Sequence, residues 1–223
     1  MTDFRLQRLN MVESQVRPSD ITDQRIIRAM LEVPREAFVP PAFAAMAYID
    51  DPVPAAARPE AGQARYLLPP RTFAKLVQLA GVEPGCSVLD VGCATGYSTA
   101  VLAKLAKRVV AVEVDRELAR AAARILRELG AGNAVVVEGP LADGARAEAP
   151  FDVILLNGAV PAVASSLLVQ LADGGRLVAM LNEGPLCRAN VWRRGSKSID
   201  RRPAFEGAAA GLAGFEAPAE FVL

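Results

Sequence analysis

Residues 88–103, VLDVGCATGYSTAVLA, decide the fold of this chain of 223 residues. An apolar run reaches Asp90, the chain crosses Gly92 and Gly96, and an apolar segment of helical period follows. This order predicts a strand, a tight turn and a helix, because glycine adopts turn conformations that other residues avoid and offers bare backbone to a ligand. Ala94 stands where a dinucleotide fingerprint has its middle glycine. The stretch therefore predicts a nucleotide-like ligand and leaves its identity open.

The alternation of strand and helix continues along the chain. Short β-branched runs alternate with segments of helical period, which is typical of an α/β fold with a doubly wound, mostly parallel sheet. The runs are apolar throughout, as expected where helices cover both faces of a sheet. Strands are predicted at residues 87–91, 109–114, 134–139, 151–158, 175–181, 187–194 and 220–223. Helices are predicted at residues 97–106, 116–130 and 161–172, and residues 203–215 are predicted to connect the last two strands.

The residues before the first of these strands form a helical lead-in. Helices are predicted ahead of residues 49–64, a stretch rich in proline, alanine and glycine that predicts a loop. A further helix is predicted from Pro70 to a stop at Gly81, because proline is favoured at the first helical position and glycine just beyond the last. We divide the chain into a lead-in with its loop, residues 1–80, and a ligand-binding core, residues 81–223, in one compact unit.

The composition excludes several classes of function. The 25 basic residues are balanced by 25 acidic residues, which argues against a dedicated binder of nucleic acid or anionic membrane. The basic stretch at residues 188–202 is interpreted as a solvated hairpin rather than a polyanion site. Three scattered cysteines, an N-terminus without a signal-peptide pattern and the lack of a long apolar run predict a soluble, cytoplasmic protein with no membrane segment. The chain has no histidine, so Ser–His and Cys–His nucleophiles are excluded and no metal site is predicted.

An acidic residue at the end of the next strand narrows the choice of ligand. Glu113 follows Gly92 by roughly twenty residues, the spacing at which a carboxylate accepts hydrogen bonds from ribose hydroxyls. NAD and S-adenosylmethionine both fit this pair of features. Asp90 would repel a pyrophosphate, whereas it could stabilise the amino group of a methionine moiety, so S-adenosylmethionine is favoured. The alternative is a glycine turn that serves only strand-to-helix packing.

Several stretches together resemble the protein-L-isoaspartate O-methyltransferase family. Residues 29–54, with VPREAFVP and AYIDDPVP, are similar to its N-terminal signature, and residues 88–103 are similar to its cofactor motif. Residues 149–160 and 167–181 resemble its fourth strand, the following helix and its fifth strand. Residues 215–223 resemble its closing strand. The resemblance covers most of the chain.

The resemblance implies a fold and a reaction. The implied fold is that of a Rossmann-like class I methyltransferase with one antiparallel strand near the C-terminus. The implied reaction moves the methyl group of S-adenosylmethionine to the free carboxylate of an L-isoaspartyl residue in a damaged protein or peptide. The ester then collapses to a succinimide that can reopen to normal aspartate, which repairs the protein.

The resemblance also implies the residues that hold the cofactor. A valine at Gly92 or Gly96 is predicted to abolish cofactor binding and to leave the chain folded, because the added atoms would meet the ligand or the turn.

In the stretch GPLADG, Pro140 and Leu141 replace an aspartate and a glycine of the family pattern. The predicted cofactor-binding residues are Asp90, Gly92, Cys93, Ala94, Gly96, Glu113, Val114, Gly139, Leu141 and Asn157.

A second departure from the family pattern concerns the acceptor. The family loop resembles G-x-T-x-S-x-P, but residues 61–70 read AGQARYLLPP, with Ala64 and Tyr66 where threonine and serine are expected. A loop without these hydroxyls needs another donor for the acceptor carboxylate, and Arg65 is the first candidate because a guanidinium can bind a carboxylate through two hydrogen bonds. The phenol of Tyr66 is the second candidate. The alternative is that Arg65 points to solvent and Tyr66 packs on the lead-in helices.

Methyl transfer to a carboxylate requires no acid–base catalysis by the protein. A carboxylate with a pKa of about 4 is ionised at neutral pH, so methyl transfer to it needs no general base. No residue is therefore predicted to act as a nucleophile or as an acid or base. Two other functions stay open: a related methyltransferase with a different acceptor, and a cofactor-binding module without turnover.

Overall fold

The computed structural model describes residues 2–56, 64–182 and 187–215. Its centre is a sheet of seven strands in the order β5-β4-β3-β6-β7-β8-β9, and β1 and β2 form a separate antiparallel pair. The strands are β1 (Val53–Pro54), β2 (Tyr66–Leu67), β3 (Ser87–Val91), β4 (Arg108–Glu113), β5 (Ala134–Glu138), β6 (Phe151–Val160), β7 (Leu171–Asn182), β8 (Cys187–Arg194) and β9 (Ile199–Gly207).

Within the described ranges, six α-helices accompany the strands. They are α1 (Phe4–Met11), α2 (Gln24–Glu32), α3 (Pro70–Ala80), α4 (Tyr97–Ala103), α5 (Arg116–Glu128) and α6 (Ser165–Leu168). Short 3₁₀ turns at Arg35–Phe38 and Pro41–Met46 complete the lead-in. Among the described residues, no helix is long and apolar enough to span a membrane.

The sheet confirms the doubly wound prediction. Strands β3 to β7 pair in parallel, and β8 runs antiparallel to both of its neighbours. The central strands β3, β4 and β6 are buried almost throughout, because helices cover the sheet. The carboxyl ends of β3, β4 and β6 meet at one edge, where a sheet of this kind binds its ligand.

Two predicted elements are wrong in extent. The helix predicted over residues 161–172 is a single turn, α6, because Leu171 already pairs with Phe151 as the first residue of β7. The connection predicted over residues 203–215 begins with strand residues, because β9 pairs antiparallel with β8. The predicted strand at residues 220–223 lies outside the described residues.

The lead-in and the sheet share one hydrophobic core. The helix predicted to begin at Pro70 and stop at Gly81 is confirmed as α3, and Gly81 caps it in the left-handed conformation with φ of 57°. Helix α3 packs on β6 and β7, and one buried cluster extends from Met11 in α1 to Val191 in β8. This packing places residues 64–69, which precede α3, at the carboxyl edge of the sheet, where Arg65 contacts Glu113. The domain boundary between residues 80 and 81 stays a prediction.

Candidate active site

The turn after β3 has the conformation that its sequence predicts. Gly92, Ala94 and Gly96 all have positive φ, at 74°, 51° and 94°. The amide of Gly92 donates to the carbonyl of Val112 at 2.8 Å, which fastens the turn to the neighbouring strand β4. Ala94 adopts a conformation that costs a residue with a Cβ about 1–2 kcal/mol. The turn is therefore held by its surroundings as well as by its glycines.

Glu113 ends β4 beside this turn, and its carboxylate is fully buried. One oxygen accepts a hydrogen bond from the amide of Ala94 at 2.7 Å. The other accepts from the amides of Val114 and Asp115 at 2.9 and 3.2 Å. Three backbone amides thus orient the Glu113 carboxylate at the position that the sequence predicted for a ribose contact.

Arg65 lies on the same carboxylate. Its Nη2 is 3.0 Å from Oε2 of Glu113, and its Nε donates to both carboxylate oxygens at 3.2 and 3.3 Å. The Arg65 side chain is 3% exposed and that of Glu113 is 0% exposed. A Cβ built on Gly92 would lie 2.5 Å from Nη2 of Arg65, so the guanidinium lies against the bare backbone of Gly92 while it contacts the carboxylate. The alternative in which Arg65 points to solvent is wrong.

Asp90 anchors the turn through buried hydrogen bonds. Its carboxylate is fully buried and accepts hydrogen bonds from the hydroxyls of Ser98 and Thr99, at 2.8 and 2.6 Å, and from the amide of Asn157. Burial raises the pKa of Asp90 to about 6, although these three hydrogen bonds act to lower it. The carboxylate thus joins the end of β3 to α4 and β6.

The two glycines of the turn face different neighbours. A Cβ on Gly96 would lie 3.1 Å from Cβ of Ala122 in α5, whereas a Cβ on Gly92 would meet Arg65 and Leu212. Valine at Gly96 would therefore push α4 away from α5. The prediction that the added atoms would meet only the ligand or the turn is wrong for Gly96, because a Cβ there would meet Ala122 of α5. We therefore expect this substitution to lower the free energy of unfolding as well as cofactor binding.

The remaining predicted cofactor residues divide into open and buried positions. Nothing lies within 4 Å of a Cβ built on Gly139, and its amide donates to the carbonyl of Glu113 at 3.0 Å. Val114 is 38% exposed beside it, so an apolar ring has room at this point. Cys93 and Leu141 are each 2% exposed and pack into the hydrophobic clusters under the turn.

A small cavity marks the place where the lead-in meets the turn. Its volume is about 10 Å³, roughly the room of one water molecule. Tyr66 lines it, half-buried, opposite Gly92 and Asn157. The segment after β9 closes the neighbouring side: Leu212 is 5% exposed, and its Cδ1 would lie 2.8 Å from a Cβ on Gly92.

Sequence reasoning missed the buried polar residues that support the site. Arg35 is fully buried, donates to the carbonyls of Ala47 and Leu68 at 2.6 and 2.7 Å, and lies 4.6 Å from the centre of the Tyr97 ring. It thereby ties the segment after β2 to the helix that follows the glycine turn. The only signal for it in the sequence was its place in VPREAFVP.

Fold and site together define a class of protein. A mostly parallel sheet, a D-x-G-x-A-x-G turn after its first central strand and a buried glutamate at the end of the next strand are the features of a Rossmann-like methyltransferase. The sequence model of the family "Protein-L-isoaspartate(D-aspartate) O-methyltransferase" matches residues 7–202. The chain belongs to this family.

Similar proteins agree with this assignment. A protein-L-isoaspartate O-methyltransferase of Koribacter versatilis is 36% identical over 201 residues, which cover 90% of this chain and 88% of that protein. One of Geobacter metallireducens is 42% identical over 79% of both chains. A solved structure named protein-L-isoaspartate O-methyltransferase superposes with a TM-score of 0.81 at 24% identity and covers 93% of this chain and 67% of that one.

A Plasmodium falciparum structure extends the likeness of fold. It is described as a protein-L-isoaspartate O-methyltransferase in complex with S-adenosyl-L-homocysteine, and it superposes with a TM-score of 0.76 at 20% identity. The match covers 96% of this chain and all of that one. At this identity the likeness supports the shared architecture.

Proposed function

We propose that the protein is an S-adenosylmethionine-dependent O-methyltransferase that esterifies the carboxylate of L-isoaspartyl residues in damaged proteins. Membership of the family supports the reaction. The observation that carries the proposal is the buried Glu113 carboxylate, which three backbone amides hold beside the bare backbone of Gly92. This arrangement suits the ribose of a nucleoside ligand.

The residues of the turn fit the cofactor. The Glu113 carboxylate would accept hydrogen bonds from the ribose hydroxyls, and the adenine would lie in the open space at Gly139 beside Val114. Gly92 would let the ligand approach the backbone, while Asp90 would act through the turn because its carboxylate is buried on hydroxyl and amide donors. The cofactor supplies a methyl group on a positively charged sulfur.

The acceptor is a carboxylate, so the reaction moves no proton. The bond between carbon and sulfur breaks, a bond between carbon and a carboxylate oxygen forms, and sulfur leaves as a neutral thioether. The protein therefore contributes orientation and the exclusion of water. We assign the acceptor side of the site to Tyr66, which lines the cavity beside Gly92, and to its neighbour Arg65.

The altered loop favours one alternative acceptor class. The family pattern has threonine and serine where this chain has Ala64 and Tyr66, so another carboxylate could take the place of an isoaspartyl residue.

The absence of disulfides among the described cysteines suits the cytoplasm, which is the location we propose.

A matched pair of peptides tests the proposal. An isoaspartyl peptide and its normal aspartyl twin are incubated with the protein and S-adenosylmethionine, and methyl transfer is followed for each. We expect the isoaspartyl peptide to be methylated at least a hundredfold faster than its twin. Cofactor binding with methylation of neither peptide would contradict the proposal, and a screen of small carboxylic acids would then separate another acceptor from a module without turnover.

A further inference from the structure

We infer that Glu113 exchanges partners: Arg65 holds it before the cofactor binds, and the cofactor displaces Arg65, which then serves the acceptor carboxylate. The inference rests on the proposed function for its cofactor and its acceptor. It adds an order of binding, in which the acceptor site is incomplete until the cofactor site is filled.

The contacts of Arg65 and those expected of a ribose compete for the same atoms. The guanidinium contacts both oxygens of Glu113 and lies over the face of Gly92 that a ligand would approach. Two ribose hydroxyls could not reach that carboxylate while the guanidinium covers it. A bidentate pair of this kind is also among the stronger hydrogen-bonded pairs in proteins, so breaking it reduces the net affinity for the cofactor.

The backbone of the loop allows this exchange through a side-chain movement. The carbonyl of Arg65 accepts a hydrogen bond from the amide of Ala55 at 2.8 Å, and Tyr66 pairs with Pro54 in the short sheet of β1 and β2. The base of the Arg65 side chain is thus anchored. Because Tyr66 follows it and lines the cavity beside Gly92, a released guanidinium stays close to this cavity.

Charge gives the released guanidinium a new partner. A buried arginine that loses its carboxylate must find another anion or reach water, since an unpaired buried charge costs several kcal/mol. The acceptor carboxylate provides that anion. The altered loop has lost the hydroxyls of the family pattern, and an arginine freed by the cofactor would replace them as the donor.

Cofactor affinity in two variants separates this role from a purely structural one. Arg65→Met removes the competing guanidinium, and Arg71→Met is the matched control because Arg71 pairs with Asp50 outside the site. Calorimetric titration with S-adenosylhomocysteine should show at least tenfold tighter binding for Arg65→Met and binding within twofold of the wild type for Arg71→Met, since the first variant no longer has to break the pair before binding. Equal or weaker binding by Arg65→Met would overturn the exchange.

Binding of the acceptor peptide should change in the opposite direction to binding of the cofactor. With saturating cofactor, Arg65→Met should raise the KM for the isoaspartyl peptide at least tenfold, although it binds the cofactor more tightly. Arg65→Lys should lie between the wild type and Arg65→Met in both measurements, because an ammonium cannot bridge the two oxygens as a guanidinium does. An unchanged KM would overturn the second half of the inference.

Nuclear magnetic resonance tests the exchange of partners in the wild-type protein, so the result does not depend on whether a variant folds. The Nε proton of Arg65 is buried between two carboxylate oxygens, so its resonance should be protected from exchange in the ligand-free protein and should lose that protection when S-adenosylhomocysteine is added. A resonance that stays protected at saturation would overturn the exchange. If neither the wild type nor the variants bind the cofactor, the proposed function fails together with the inference; if all bind it equally, the inference alone fails.

Discussion

The two glycines of the turn have different roles, one in binding the ligand and the other in stabilising the fold. Gly92 and Gly96 have similar positive φ, so alanine at either position carries a similar backbone strain of about 1–2 kcal/mol. They differ in what the added Cβ meets: Arg65 and Leu212 on the ligand side of Gly92, and Ala122 of α5 behind Gly96. Two glycines that look equivalent in the sequence therefore have different tasks.

This difference predicts the behaviour of two matched variants. Gly92→Ala should lower the affinity for S-adenosylhomocysteine at least tenfold, because its Cβ projects into the ligand face. Gly96→Ala should bind within threefold of the wild type, and its cost should appear in the free energy of unfolding. Titration calorimetry and urea unfolding of both variants check this, and equal losses of affinity would show that the two positions cannot be distinguished in this way.

Asp90 predicts a dependence of stability on pH. Its folded pKa of about 6 exceeds the ordinary value of 3.8, so the folded protein binds a proton more tightly than the unfolded chain. The resulting stabilisation is complete below about pH 4 and is lost as the pH rises through 6. A shift of about 2 pKa units corresponds to about 3 kcal/mol.

A comparison with Asp90→Asn isolates this contribution. The free energy of unfolding of the wild type, minus that of Asp90→Asn, should fall by about 2–3 kcal/mol between pH 4 and pH 7.5. Denaturant unfolding at a series of pH values measures it. A difference that does not change with pH would mean that folding leaves the pKa of Asp90 at its ordinary value, and a difference that rises would mean that folding lowers this pKa.

At the scale of elements, the sequence predicted what depends on local pattern. The central strands and the helices α3, α4 and α5 follow from apolar runs, helical period and terminal proline or glycine. Helix α6 was overextended because residues 161–172 are rich in alanine and leucine, while the pairing of Leu171 with Phe151 is a long-range contact that no local period reveals. Strand β9 was missed because charged residues and Pro203 are uncommon inside strands, yet an edge strand tolerates both.

Residues 208–215, the described part of the chain after β9, pack on the sheet without forming a helix or a strand. This segment is joined to β6 by the amide of Ala159, which donates to the carbonyl of Ala210, and by the amide of Leu212, which donates to the carbonyl of Ala159, both at 2.8 Å. Leu212 then packs into the cluster around the central strands. The segment closes the carboxyl edge of the sheet next to the turn.

Truncation of Leu212 tests how much this segment contributes. Leu212→Ala should lower the free energy of unfolding by about 2–4 kcal/mol, because it removes a buried side chain and leaves a cavity. Val169→Ala is the control, since Val169 is 66% exposed and its truncation should cost less than about 0.5 kcal/mol. Urea unfolding that shows equal small losses for both would mean that the segment is not part of the folded core.

At the scale of the whole molecule, the site combines a local motif with a distant loop. The turn and Glu113 could be predicted, because the spacing of a strand, a turn and a second strand fixes where they meet. The contact between Arg65 and Glu113 could not, because it joins residues 48 positions apart and depends on how α3 and the lead-in pack on the sheet. Arg65 was singled out as a carboxylate binder, but its present partner is a carboxylate of the protein itself.

Conversion of an isoaspartyl peptide to its aspartyl form is the direct test of the repair reaction proposed for this protein. A pure isoaspartyl peptide is incubated with the protein and S-adenosylmethionine, and the methyl ester, the succinimide and the two acid forms are separated over time. We expect the ester to appear first, the succinimide to follow, and the aspartyl form to accumulate only when both protein and cofactor are present. An isoaspartyl peptide that stays unmethylated, with a protein that binds the cofactor, would contradict the proposed repair reaction.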